Sequence, residues 1–333
     1  MKTWKHRTAW RVLVLSVLLL AAVLYFHVTA TPIAGTTKHA NYITPTPRVQ
    51  ATKHANYISP TPSVKTITHS DYITRIFTGA NGMHMTYYLY IPVNYDPQKK
   101  YPLVLLLHGG GESANVHNTP GQNRNVLLNQ AYVRVWGPGY PGPGSPNVQE
   151  HWPSFIVVPQ VVSPQRWVNV PAQQGSYTLA AQPTDSLRMA KEIVDALQKQ
   201  YTNIDPDRLY ITGLSMGGYG VWDAIERWPN YFAAAAPLAG AGDPSKASML
   251  IHLPIWDFHG SRDATVPVSG SRDMIAAIKA AGGEPRYTEF PGEGHEVWDY
   301  VYSTTGTSTR VPDFFSWLFS QSKIRSTSQI YVR

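Results

Sequence analysis

The stretch "LYITGLSMGGYGVWDAI", Leu209 to Ile225, decides how this chain folds. Its first residues are β-prone. Its last residues place Tyr219, Trp222 and Ile225 at helical spacing. Between the two stands Ser215, with Gly213 two positions before and Gly217 two positions after. A strand that reverses sharply into a helix holds its turning residue in strained backbone geometry. Side chains two positions away would collide across the turn, so glycine is required there. This is the G-x-S-x-G nucleophile elbow, and its mark is the order strand, turn, helix. The rival explanation is a glycine-rich turn that happens to contain a serine. The partners elsewhere in the chain have to decide between them.

Working outward, apolar strands alternate with helices. "YITRIFTGANGMHMTYYLYIP" reads as two strands around the turn "GANG". "YPLVLLLHG" (Tyr101 to Gly109), "SFIVVPQ" (Ser154 to Gln160), "RLYITGLS" and "YFAAAAPLAG" (Tyr231 to Gly240) read as buried strands, followed by "LPIWDFHG" and "PRYTEFPGEGH". "TDSLRMAKEIVDALQKQY" (Thr184 to Tyr201) is an amphipathic helix with Leu187, Ala190, Ile193, Val194 and Leu197 on one stripe. "SGSRDMIAAIKAAGG" and "VPDFFSWLFSQ" are further helices. The pattern predicts an α/β protein with a doubly wound, mainly parallel sheet, the two early strands extending one edge. Reactive groups in such sheets sit at the carboxyl ends of strands. The segment from Glu112 to Trp152 shows little periodicity and contains "WGPGYPGPGSPN". It follows a strand's carboxyl end, so it is expected to overhang the site as a loop.

A serine hydroxyl needs a base, and the base needs an orienting acid. On this fold the chain order is Ser, then Asp or Glu, then His. "DFHGSRDATVP" places Asp263 just past one strand, and "FPGEGHEVW" places His295 just past the last. The separations are 48 and 32 residues, room for a strand and a helix each. Asp257 is an alternative acid but lies inside a strand run, and Asp273 lies in the following helix. His259 ends a strand and reads as a packed structural histidine. Asp263 alone could be a turn former and His295 alone a surface histidine. Three residue types in the right order at three strand ends favour a triad. For the oxyanion hole, one N–H comes from Met216 and the other from the loop "LHGGGES", with Gly110 favoured over Gly111. His108 is read as support for that loop. Glu112 either bonds the loop backbone or meets substrate.

"YPLVLLLHGGGES", "DRLYITGLSMGGYGVWDAIERWPNYFAAAAPLAGAGDP", "PIWDFHGSRDATVPVSGSRDMIAAIKAAGG" and "YTEFPGEGHEVW" resemble the α/β-hydrolase group of exported prolyl-oligopeptidase-like "predicted peptidases". They are similar also to polyhydroxybutyrate-depolymerase-like and feruloyl-esterase-like carboxylesterases. The resemblance spans roughly Ile73 to Gln321. It implies Ser215 as nucleophile, His295 as base and Asp263 as orienting acid. The chain departs from the group's "GAGERG" pattern at "GGGES", where Ser113 stands in place of the arginine.

Composition bounds the rest. The chain has 333 residues and no cysteine, which excludes disulfides, thiolate metal sites and a cysteine nucleophile. Formal charge is +7, but residues 1 to 75 hold nine Lys or Arg against one acid, and the remainder holds nineteen against twenty. The excess sits in the leader and not on a folded basic face, so no nucleic-acid partner is expected. "MKTWKHRTAWR" followed by the apolar run Val12 to Phe26 describes a secretory signal, with "VTA" at 28–30 as a cleavage site. If it is not cleaved, residues 12–30 would anchor the chain to a membrane. A 15-residue repeat follows: "TKHANYITPTPRVQA", then "TKHANYISPTPSVKT", then a degenerate "ITHSDYIT". It reads as a Thr/Pro-rich spacer rather than a histidine array for metal. The expected domains are a leader over 1–30, the spacer over 31–71, a catalytic domain over 72–322 and a tail over 323–333.

The expected function is an exported serine carboxylesterase acting on a small or polysaccharide-linked ester. "HEVWD" lacks the second histidine of a zinc helix, and no dinucleotide loop follows the first strand, so no metal or organic cofactor is expected. Trp167 and Trp298 are candidates to stack on a sugar or aryl group, with core packing the alternative. A serine peptidase is the rival enzyme, weakened because no propeller-sized domain precedes the catalytic region. A non-catalytic polysaccharide-binding module is the rival from another class.

Overall fold

The computed structural model describes residues 71–139, 147–302 and 311–323. The leader, nearly all of the repeat spacer, residues 140–146 of the Gly/Pro-rich segment and residues 324–333 of the tail lie outside the described residues. Eight strands form one sheet: β1 (Ile73–Thr78), β2 (His84–Tyr90), β3 (Tyr101–Leu107), β4 (Phe155–Pro159), β5 (Ile204–Leu214), β6 (Ala234–Leu238), β7 (Trp256–Gly260) and β8 (Arg286–Phe290). Their order is β1-β2-β4-β3-β5-β6-β7-β8. β3 to β8 run parallel, β2 pairs antiparallel to β4, and β1 pairs antiparallel to β2 at the edge. The sheet is therefore mainly parallel, and the early hairpin extends one edge as expected.

The central strands are buried on both faces, which is why they read as unbroken apolar runs. Alternation along β3 divides the core. Leu103, Leu105 and Leu107 face one layer, with Ile193 and Val194 of α2 (Asp185–Gln200) and Trp222 of α3 (Met216–Arg227). Met274 and Ile278 of α4 (Ser269–Ala280) join the same layer. Val104 and Leu106 face the other layer, with Trp136 and with Phe314 and Leu318 of α5 (Phe314–Ser320). Trp136 is fully buried, with the Phe315 ring 5.0 Å away and the Tyr302 ring 5.4 Å away. Rings of this size each contribute about 2–3 kcal/mol through burial.

The segment after Glu112 departs from expectation. It forms α1 (Pro120–Leu128) and a further turn at Ala131–Arg134, and its apolar residues Leu127, Leu128, Tyr132, Val133, Val135 and Trp136 enter the second core layer. The start of α1 is a capping box: the Thr119 side chain accepts from Gln122 N–H, and the Gln122 side chain accepts from Thr119 N–H. "TPGQ" carried that signal in the sequence. The helix shows no apolar stripe because its polar residues come first and its leucines last. The described part of the segment is a packed layer of the core and not a loop over the site.

Candidate active site

β5 ends at Leu214 and α3 begins at Met216, so Ser215 is the whole turn. Its φ is +54° and ψ −118°, a sparsely populated backbone state for a residue with a side chain. Holding it costs on the order of 1–3 kcal/mol, supplied by the packing around it. Ser215 N–H bonds Leu238 O at 2.9 Å and Ser215 O accepts from Tyr219 N–H at 3.1 Å. The flanking glycines have a steric cause. A Cβ on Gly217 would lie 2.0 Å from Leu107 O, and one on Gly213 would lie 2.7 Å from the same oxygen. The turn is pressed against the end of β3, and only backbone fits between them. Gly217→Ala should therefore lower stability by about 3 kcal/mol, or roughly 6–12 °C in the thermal midpoint of a domain this size. A midpoint within two degrees of the parent, at unchanged turnover, would mean that the turn tolerates a side chain.

The three residues singled out from chain order meet at this turn. Ser215 Oγ is 2.8 Å from His295 Nε2, and His295 Nδ1 is 2.6 Å from Asp263 Oδ2. Asp263 follows β7 and His295 follows β8, so the topology delivers all three to the carboxyl edge of the sheet. Nδ1 faces a carboxylate and must carry the ring proton, which leaves Nε2 to accept from the serine. The Asp263 side chain is buried. Burial pushes its carboxyl up, but bonds from His259, His295, Val266 N–H and Thr265 N–H outweigh burial and hold it well below the usual carboxylate range. Asp257 is buried on β7 with no bond to His295, and Asp273, on α4, accepts from Ser176 Oγ. Neither belongs to the line.

The loop after β3 supplies the opposite wall. Val161 N–H donates to His108 Nε2 at 3.0 Å, so the proton of the neutral ring is on Nδ1 and donates to Gly109 O at 2.6 Å. Burial pushes His108 down to about 4, so the ring is neutral at pH 7. The Gly109 carbonyl and Gly110 N–H belong to one trans peptide and point opposite ways. Tying that carbonyl back to His108 turns the Gly110 N–H away from the ring, and Gly110 lines the cavity beside Ser215. Met216 also lines it, and as the first residue of α3 its N–H has no acceptor within the helix. Glu112 reaches the same cavity. Burial pushes its carboxyl up, and Gln160 Nε2 holds its backbone carbonyl at 2.9 Å.

The cavity holds about 320 Å³. Trp298 lines it and meets the His295 ring edge-on at 5.3 Å. Trp167 does not line it. That side chain is fully buried, donates from Nε1 to His108 O at 3.0 Å and packs on the His108 ring. The candidate substrate contact at Trp167 is corrected to a brace for the loop after β3, because its N–H found a partner in the core. Of the described residues between Glu112 and Trp152 only Glu112 lines the cavity, and the rest of that wall comes from Arg166, Val168, Val170 and Ala172. These follow β4, so the strand-end rule pointed to them as well. A larger groove of about 740 Å³, lined by Arg188, Lys191, Trp228 and Met249 among others, contains none of the three site residues. Among the described residues no cluster of three or more His, Asp or Glu side chains has the arrangement of a metal site.

Comparison with known proteins fits this geometry. Residues 190–256, which include Ser215, match the prolyl oligopeptidase family. The solved structure of a thermostable esterase superposes with a TM-score of 0.57 at 32% identity, covering 76% of this chain and 63% of that one. The chain has the α/β-hydrolase fold. A bifunctional acetylxylan esterase/xylanase of Neocallimastix patriciarum is 26% identical over 176 residues, 53% of this chain and 21% of that protein. An uncharacterized secreted protein of Arthroderma benhamiae is 30% identical over 142 residues, 34% of this chain and 15% of that protein. The chain thus spans about a fifth or less of these two curated relatives.

Proposed function

We propose that this hydrolase is an exported serine carboxylesterase. The observation that carries it is the unbroken hydrogen-bond line Ser215–His295–Asp263 beside a small, largely apolar cavity. Ser215 Oγ attacks the ester carbonyl while His295 Nε2 takes its proton, and Asp263 stabilises the imidazolium that forms. Gly110 and Met216 N–H groups hold the tetrahedral oxyanion, each contributing about 3 kcal/mol to lowering the barrier. The imidazolium then protonates the departing alkoxide as the C–O bond breaks. Water, deprotonated by His295, releases the acid and restores the serine. Val168, Val170, Ala172, Tyr219 and Trp298 offer an apolar wall suited to a short or aryl group.

Export is supported by the basic flank and apolar run of the leader, and by the secreted relative. No helix among the described residues is long and apolar enough to cross a membrane. The family match over 190–256 favours a serine peptidase as the second candidate. A non-catalytic polysaccharide binder has no use for a buried, charged Asp263 aligned on a histidine and a serine.

The test is labelling with a fluorophosphonate alongside turnover of 4-nitrophenyl acetate. One adduct on the peptide carrying Ser215, blocked by prior acetylation, is the expected result. An adduct on another residue, or no adduct and no turnover, removes the proposal.

A further inference from the structure

Asp263 has a second histidine. His259, on β7, is fully buried, and its Nε2 lies 3.2 Å from Asp263 Oδ2. His295 Nδ1 contacts that same oxygen at 2.6 Å from the cavity side. His259 Nε2 also lies 3.1 Å from Val266 O. Both neighbours are acceptors, so Nε2 carries a proton. On the far side of the ring, Nδ1 is 2.8 Å from Ser271 Oγ, which is itself fully buried on α4. Beside Ser271 stands Asp257, also fully buried, with neither carboxylate oxygen in hydrogen-bond geometry. Burial pushes its carboxyl up to about 6, against the opposing pull of Ser271, His259 and the Phe258 N–H.

We propose that His259 is a positioning residue of the triad, holding Asp263 from the side opposite His295 so that one carboxylate oxygen is aimed at the catalytic ring. The role presupposes that Ser215, His295 and Asp263 act as proposed above. Three donors bond the carboxylate, Thr265 N–H at 2.8 Å and Val266 N–H at 2.9 Å on Oδ1 and His295 Nδ1 at 2.6 Å on Oδ2, and His259 Nε2, bonded to Val266 O, lies 3.2 Å from that same Oδ2. A histidine needed only to fill space would be replaced here at little cost by an aliphatic side chain, since Phe258, Val266 and Met274 are buried nearby in chain or on α4. Instead a polar ring is buried with its Nε2–H on Val266 O and in charge contact with the triad acid, an arrangement that costs desolvation and needs each of its contacts.

The His259 Nε2–H also draws charge from Oδ2. Without it the oxygen is more basic toward His295, the imidazolium form is held more tightly, and the free base is reached only at higher pH. The acid limb of the rate profile should therefore move up. Other charged groups face the pair. Glu289 lies opposite His259 on β8, bonded to Arg272 of α4 and to Tyr287, and Tyr287 lies opposite Asp257.

The experiment compares the parent with His259→Gln, His259→Asn and His259→Leu in the full chain. Readouts are kcat and KM on 4-nitrophenyl acetate across pH, and circular dichroism for the fold. Asn is too short to reach Asp263, whereas Gln keeps a reaching N–H donor. Asn and Leu should lower kcat by about 10- to 100-fold with KM within about threefold, and move the acid limb up by about half a unit or more. Gln should restore both to near the parent. If Leu does not fold, the Asn and Gln pair decides. Parental kcat and acid limb in the Asn variant overturn the proposal. So does a loss of activity with an unmoved limb that Gln does not rescue. Failure of the triad itself would show separately, as a parent whose Ser215 takes no fluorophosphonate.

Discussion

Ser215→Ala should leave the fold intact and lower turnover of an aryl ester by about 10⁴-fold or more. The factor corresponds to about 5 kcal/mol of barrier. Its origin is the loss of covalent catalysis: without Oγ, His295 has nothing to deprotonate except water, and no acyl-enzyme forms. Folding should survive because alanine keeps the Cβ that already sits in the strained turn, at φ +54°. The backbone bonds to Leu238 O and from Tyr219 N–H do not involve Oγ. The Gly110 and Met216 N–H groups remain, so the residual rate should still exceed that in buffer. Stopped assays over hours, with circular dichroism and thermal midpoints in parallel, measure both halves. Activity within tenfold of the parent would mean that another nucleophile carries the reaction.

The fold and the three aligned residues were legible because they depend on local pattern and on topology. Gly213 and Gly217 mark a turn squeezed against β3, and that squeeze leaves a trace in the sequence: no side chain is tolerated. Asp263 and His295 were found through chain order, because in a parallel sheet every strand that ends near Ser215 delivers its exit loop to the same edge. What stayed hidden depends on which side chains meet at long range. Trp167 and Trp298 look alike in sequence. One is drawn inward because its N–H reaches His108 O, and the other is left on the cavity wall beside His295. α1 was missed because its leucines sit at one end rather than along a stripe, although the Thr119–Gln122 capping box was in view. His259 was read as a packed structural histidine. Its contact with Asp263 arises only when the turn after β7 folds back, with Asp263 N–H on Gly260 O at 3.2 Å.

Bond type separates the two enzymatic candidates, and esters should be cleaved at least about 10³-fold faster than matched peptide amides, roughly 4 kcal/mol of barrier. Both bonds pass through the same tetrahedral intermediate, so Gly110 and Met216 N–H groups serve them equally. The difference lies in collapse. An alkoxide or phenolate leaves readily, whereas an amine leaves only after His295 has delivered a proton to a nitrogen held in line. That alignment requires subsites that fix the peptide on both sides of the bond. The cavity here holds about 320 Å³, near the lower end for ligand pockets. Its wall is mostly apolar, with Glu112, Arg166, Thr265, the Trp298 indole N–H and a Tyr219 hydroxyl already bonded to Ala172 O as the polar groups outside Ser215 and His295. Arg166 is already tied to Val170 O at 2.6 Å. Such a wall can bury a short or aryl group by contact alone but offers few donors and acceptors to hold an extended backbone. Specificity constants on an N-acyl amino acid ester and its matching anilide, measured with the same preparation, decide the matter. Comparable values would return the chain to the peptidase side of its family match, and the apolar wall would then be the first subsite of a longer groove.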